Sequence, residues 1–228
     1  MWVEISFNVS YLVVVWILVA MMALRQNIVL AQDRAIAKRL MWAFGLLALG
    51  DTGHVGFRVV AYALGGVEAN ATLVGMGALA TAITVTLFYM MMVDIWRLRF
   101  NQPIGWFGWL LIATGIVRLV VMAFPQNNWG AAIPPYDWSL LRNGLLTFQG
   151  LGVMYLILRD AILAHDRSYI WIGMMIAVSY SFYAPVILWA SAIPILGMLM
   201  IPKTLAYLGV AFIGFNAYYR QRAQTVTA

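Results

Sequence analysis

Hydrophobic and polar positions fall into long blocks along this chain. Apolar runs cover roughly 7–24, 40–64, 71–96, 104–124, 139–161, 168–190 and 194–219. Each approaches the ~20 residues that a helix needs to cross the hydrocarbon core. The pattern predicts an all-α, polytopic membrane protein, one domain over 1–228 with seven transmembrane helices. An odd number of spans puts the termini on opposite sides. Arg25, Arg34, Lys38, Arg39, Arg97, Arg99, Arg159, Arg167, Arg220 and Arg222 all fall on the side that holds the C-terminus. Basic residues collect on the cytoplasmic side, so the N-terminus is expected outside and the C-terminus in the cytoplasm. Glu4 and the lack of an N-terminal basic stretch argue against a cleaved signal peptide.

The second run is interrupted. In Gly50-Asp51-Thr52-Gly53-His54-Val55-Gly56-Phe57-Arg58, three ionisable residues stand at i, i+3 and i+7. Helical geometry stacks them on one face. A lipid-facing stripe of charge costs several kcal/mol, at least ~2.5 per residue, so that face is expected to look into protein or a wet cavity.

Composition agrees with the block pattern: 64% of residues are hydrophobic and 10% charged, with mean hydropathy +0.87. The absence of cysteine excludes disulfides, thiolate catalysis and thiolate metal sites. With only His54 and His165 available, paired-histidine haem ligation and a multi-histidine zinc site are not expected. No HExxH, GxSxG or phosphate-binding loop occurs, so neither an enzyme nor a metal site is indicated. The net charge of +6 reads as loop asymmetry in a membrane protein, and nucleic acid is not an expected partner.

Other polar residues lie within the apolar runs. Lys203 and Arg118 fall toward the outer side, and Arg142 stands where its side chain can snorkel to the headgroups. The sixth run carries Ser179, Tyr180, Ser181, Tyr183 and Pro185; the seventh carries Pro202 beside Lys203, then Tyr207. The expected ligand-binding set is Asp51, His54, Arg58, Arg118, Ser181, Tyr183, Lys203 and Tyr207. The competing reading is an ion pair of Asp51 with Lys203 or Arg58 that only fixes packing. Thr81, Thr84 and Thr86 are expected to bond carbonyls of their own helix. Gly45, Gly50, Gly53, Gly56, Gly144, Gly150 and Gly152 read as helix contact points, and tryptophans such as Trp42, Trp96, Trp106, Trp129, Trp171 and Trp189 as an interfacial belt. The connection from Pro125 to Asp137 reads as a cap over the outer face.

A repeat is visible. Leu30-Ala31-Gln32-Asp33-Arg34 returns as Leu163-Ala164-His165-Asp166-Arg167, followed in each half by Gly-Met (Gly75-Met76, Gly197-Met198) and Arg-x-Arg (Arg97 to Arg99, Arg220 to Arg222). Repeat one covers about 7–100 and repeat two about 139–222, with 104–124 as the linker helix. This parallel 3+1+3 plan resembles the SWEET and PQ-loop transporters, the KDEL receptors and the rhodopsin-like seven-helix proteins. Pro125-Gln126 falls in a loop and not at the start of a repeat helix, so no residue role is carried over.

These readings lead to a bilayer protein, of a plasma or bacterial inner membrane, that binds and transports a small anionic or polar solute. The partners expected are the bilayer and that solute, with self-association left open. The alternatives are a receptor for such a ligand, and a photoreceptor with retinal on Lys203, the one cofactor considered.

Overall fold

The computed structural model describes residues 2–190 and 192–220. Among them the chain is all-helical: α1 (Trp2–Leu24), α2 (Arg34–Ala63), α3 (Ala71–Arg99), α4 (Gly105–Ala123), α5 (Tyr136–Leu163), α6 (Arg167–Trp189) and α7 (Met200–Tyr218). Six segments are long and apolar enough to cross a membrane: Ser6–Leu24, Ala71–Arg99, Gly105–Ala123, Tyr136–Leu163, Arg167–Trp189 and Pro194–Tyr218. The remaining helix, α2, has 30 residues, ample length at ~1.5 Å per residue, but its charges and glycines dilute its apolar character.

Side-chain pairs give the order of packing. Between α2 and α3 they run Arg39 to Asp94, Gly50 to Thr84, Gly53 to Ala80 and His54 to Gly77. One index rises as the other falls, so the helices are antiparallel along their length and α2 lies beside a membrane-length neighbour. The same holds for α4 with α5 (Gly115 to Gln149, Leu111 to Gly152) and for α5 with α6 (Gly150 to Tyr180, Leu158 to Gly173). It holds again for α6 with α7 (Met175 to Gly209, Tyr169 to Tyr218). The ring closes where Arg25 donates to the Tyr219 carbonyl at 3.4 Å and lies over the Phe215 ring. The outside of the bundle is apolar: on α4, Trp106, Trp109, Ile116, Val117 and Val120 are exposed, while Gly108, Leu111, Gly115, Arg118 and Met122 face in. A stripe of that size is consistent with contact to a lipid bilayer.

Glycine marks the tightest approaches. A Cβ on Gly50 would stand 1.9 Å from Thr84 Oγ1 and 3.1 Å from the Thr81 backbone, whereas one on Gly56 or Gly144 would meet nothing within 4 Å. Gly50, Gly53, Gly150 and Gly152 are therefore contact points, and Gly56 and Gly144 are not. Gly50→Ala should cost about 1–3 kcal/mol by overpacking, whereas Gly56→Ala should stabilise its helix by roughly 0.5–1 kcal/mol. Thermal unfolding of the two variants in detergent checks both signs.

One end of the bundle is a charge lattice. Asp166 caps α6, accepting from the Ser168 and Tyr169 amides at 3.1 and 3.3 Å. Arg99, at the end of α3, donates to Asp166 at 2.8 Å and lies 3.9 Å from Asp33, the residue before α2. Asp94 accepts from Arg97 and Arg39. At the opposite end the 124–135 connection folds onto the helix ends. Asn127 is fully buried, donating to the Val121 and Phe124 carbonyls at 2.7 and 2.9 Å. Trp129 donates to the Met122 carbonyl at 3.1 Å, and its own carbonyl occupies the space a Cβ on Gly75 would need.

Several expectations change. Trp96 is 2% exposed and donates to Asp160 at 2.7 Å, so it is core and not belt; Trp42, Trp106, Trp171 and Trp189 are exposed as a belt requires. Arg142 does not snorkel: it is 7% exposed, lies 4.4 Å over the Trp129 ring and donates to Asn127 at 3.0 Å. The seventh run opens as a 3-10 segment, Pro194–Leu199, so Pro202 stands in the first turn of α7, where no intrahelical N–H bond is lost. Only Pro185 interrupts a helix interior among the described residues. Arg222 of the repeat lies outside the described residues.

Candidate functional site

The centre of the site is the middle of α2. Gly50 and Gly53 let α3 come close, which brings Thr81 within reach of Asp51. Thr81 Oγ1 donates to Asp51 Oδ1 at 3.2 Å, and from α1 the Tyr11 hydroxyl donates to Oδ2 at 2.9 Å. Thr84 and Thr86 do bond carbonyls of their own helix; Thr81 departs from that expectation because the carboxylate is the better acceptor. Asp51 remains partly exposed although it lies at mid-helix.

Facing it, α7 supplies Lys203 and Tyr207, and α6 supplies Tyr183. The Lys203 ammonium lies 4.4 Å from the Tyr183 ring centroid and 5.7 Å from that of Tyr207. It has no acid within ion-pair distance and no hydrogen-bond acceptor among the described residues. Asp51 and Lys203 are thus not a direct salt bridge, although each feels the other's charge. The tyrosine hydroxyls are already engaged: Tyr183 donates to Asn143 at 3.1 Å, and Tyr207 meets Tyr89 at 2.5 Å. Rings are left to face the ammonium, and their negative faces attract it.

Arg118 is the largest fully buried side chain, 2% exposed. Its Nε donates to the Arg142 carbonyl at 2.7 Å, and one terminal nitrogen donates to the Ala82 carbonyl at 2.7 Å and to Thr86. It turns inward and its charge acts on Lys203, but oxygens of α3 and α5 hold it. His54 and Arg58 continue the Asp51 face of α2, half-buried and with interactions of their own.

Ser181 does not join the others. It is exposed and donates to the Ala177 carbonyl at 3.0 Å; Ser179 is the buried serine of α6, 2% exposed. Sequence reasoning also passed over Tyr11 and Tyr89. The signal for Ser179 was present in the buried stripe Ile172, Ile176, Ser179, Tyr180, whose helical spacing leaves Ser181 on the opposite face. Gln149, fully buried against Gly115, has no partner for either amide atom among the described residues, an arrangement that typically costs ~1–3 kcal/mol per unmade bond. Among the described residues no group of three or more acidic or histidine side chains is placed to hold a metal ion.

Compared with known proteins, the chain matches no family model, no curated protein and no solved structure. The arrangement must be read from its own chemistry. Among the described residues it offers a carboxylate held by two hydroxyls, an ammonium held by rings, and two guanidiniums already bonded to protein oxygens.

Proposed function

We propose that this protein binds, and carries across the membrane, a small anionic or polar solute at Lys203. The observation that carries the reading is the Lys203 ammonium, which lies on two tyrosine rings and has no hydrogen-bond acceptor among the described residues. Arg118 and Arg142 add positive charge nearby, against Asp51 as the one acid at the site among the described residues. An incoming anion would complete the hydrogen bonding of Lys203 and offset its own desolvation.

In this reading the charge lattice marks the cytoplasmic end, because it gathers Arg25, Arg39, Arg97, Arg99 and Arg159 and basic residues are retained inside. α2 then counts as the seventh span. The 3+1+3 repeat is supported by Asp33 and Asp166, which precede α2 and α6 alike. It is supported too by α1 meeting α7 while α3 meets α5, the two contacts that a two-fold exchange of the halves would interchange. Movement of solute is favoured over sensing alone by Pro185, which frees a carbonyl inside α6 near the site.

The test is thermal stability of the purified protein against a panel of small carboxylates, phosphates and polar solutes, amino acids included. At a hundredfold excess over Kd a true ligand should stabilise by about 2.7 kcal/mol; a panel without any stabilising member overturns the proposal. Retinal is the second reading, favoured by a lone lysine among aromatic rings with Asp51 in electrostatic reach. All-trans retinal should leave the protein colourless, and a visible band that vanishes in Lys203→Ala would put the photoreceptor in place of the carrier.

A further inference from the structure

Lys203 alone does not describe what the site can hold, because Asp51 faces it unpaired with it. Asp51 accepts one hydroxyl on each oxygen, and a carboxylate has about four lone-pair positions. Half of its accepting capacity is therefore open. Lys203 has three donors and no acceptor for them among the described residues. Neither group is fully buried: Asp51 and Lys203 are each partly exposed, as are Gly53, His54, Pro202 and Thr204 beside them. The groups are too far apart to neutralise each other directly, yet close enough for each charge to act on the other.

That arrangement is poorly suited to a simple anion. A carboxylate or phosphate seated on Lys203 would be repelled by Asp51 across the same gap. The nearby guanidiniums do not cancel that repulsion by direct bonding, since Arg118 is committed to the Arg142 and Ala82 carbonyls and to Thr86, and Arg142 to Asn127. A molecule with an acid at one end and an ammonium at the other turns both charges to use. Its carboxylate takes the Lys203 donors, and its ammonium takes the free lone pairs of Asp51. The Tyr183 and Tyr207 rings then flank the acid end, and Tyr11 and Thr81 hold the Asp51 carboxylate in place for the amine.

We infer that the solute is zwitterionic, a small amino acid bridging Lys203 and Asp51. This rests on the carrier reading above, in that it needs Lys203 to be a ligand-binding group, and it narrows the solute class.

The experiment measures Kd by calorimetry and thermal stability for glycine, β-alanine and γ-aminobutyrate. It runs alongside acetate, propionate and butyrate, which lack the amine, and methylamine, ethylamine and propylamine, which lack the acid. One of the three amino acids, the one whose charge separation fits the gap, should bind at least about tenfold more tightly than its matching acid and its matching amine, as expected when a charge-assisted contact is lost. Asp51→Asn should remove most of that preference over the acid, leaving the acid itself bound as well or better. The ligand series on the unaltered protein needs no variant to fold. If the simple acids bind as tightly as the amino acids, the zwitterion inference is overturned while the anion reading stands. If no member of any series binds, both are overturned.

Discussion

Arg118→Ala should be the most damaging single substitution in the bundle, lowering folding stability by about 3–5 kcal/mol. The side chain is the largest one fully buried, and it bonds α4 to an Ala82 carbonyl on α3, an Arg142 carbonyl on α5 and the Thr86 hydroxyl. Truncation removes three charge-assisted bonds and leaves a void where helices meet. Part of the loss is offset because no buried cation needs solvating afterwards, which is why the figure is not larger. Arg118→Lys should recover less than half of the deficit, since a single ammonium cannot address three oxygens in the fork geometry of a guanidinium. Arg118→Met fills the volume without the bonds and should fall between Ala and wild type. Denaturation in mixed detergent reads all three. Full stability in the methionine variant would show that packing alone is at stake.

How far the sequence leads can be followed residue by residue. The apolar runs located all seven helices, because lipid demands long unbroken hydrophobic stretches. Their ends were less legible. The run at 40–64 belongs to a helix that starts at Arg34, since a helix continues into the headgroup region where arginine and lysine are at home. Rotation about a helix axis was the next limit. Ser179 and Ser181 differ by two residues and ~200°, so only one of them can face the bundle, and it is Ser179.

Long-range partners were the third limit. That Arg142 would turn inward depends on Asn127 and Trp129 folding back from the preceding loop to meet it, which no local pattern announces. Tyr11 reads as one aromatic in an apolar run, and only the packing of α1 on α2 brings its hydroxyl to Asp51. Asp51 itself was legible from the start, because a carboxylate inside a span has to be explained by something. What the sequence could not supply was whether Lys203 neutralises it, and their separation decides that question against a direct pair.

The separation leads to an expectation opposite to that of a structural ion pair. Lys203→Met should leave the protein at least as stable as wild type, because the ring contacts it gives up are worth only about 0.5–2 kcal/mol and the effective cost of withholding an ammonium from water is several kcal/mol. Asp51→Asn should be tolerated as well: the Tyr11 and Thr81 hydroxyls that donate to the carboxylate can each rotate to accept from an amide. Were the two residues a buried pair, each single variant would instead lose about 3–5 kcal/mol and the double variant would regain it. Ligand response moves the other way. Lys203→Met removes the ammonium of the site, so any solute that stabilises the wild type should bind roughly 10- to 100-fold more weakly, the equivalent of about 1.4–2.8 kcal/mol. Two measurements on the same three variants therefore separate architecture from function. Strongly destabilised singles rescued in the double would return Asp51 and Lys203 to packing, whereas stable variants that no longer respond to ligand place the solute between α2 and α7.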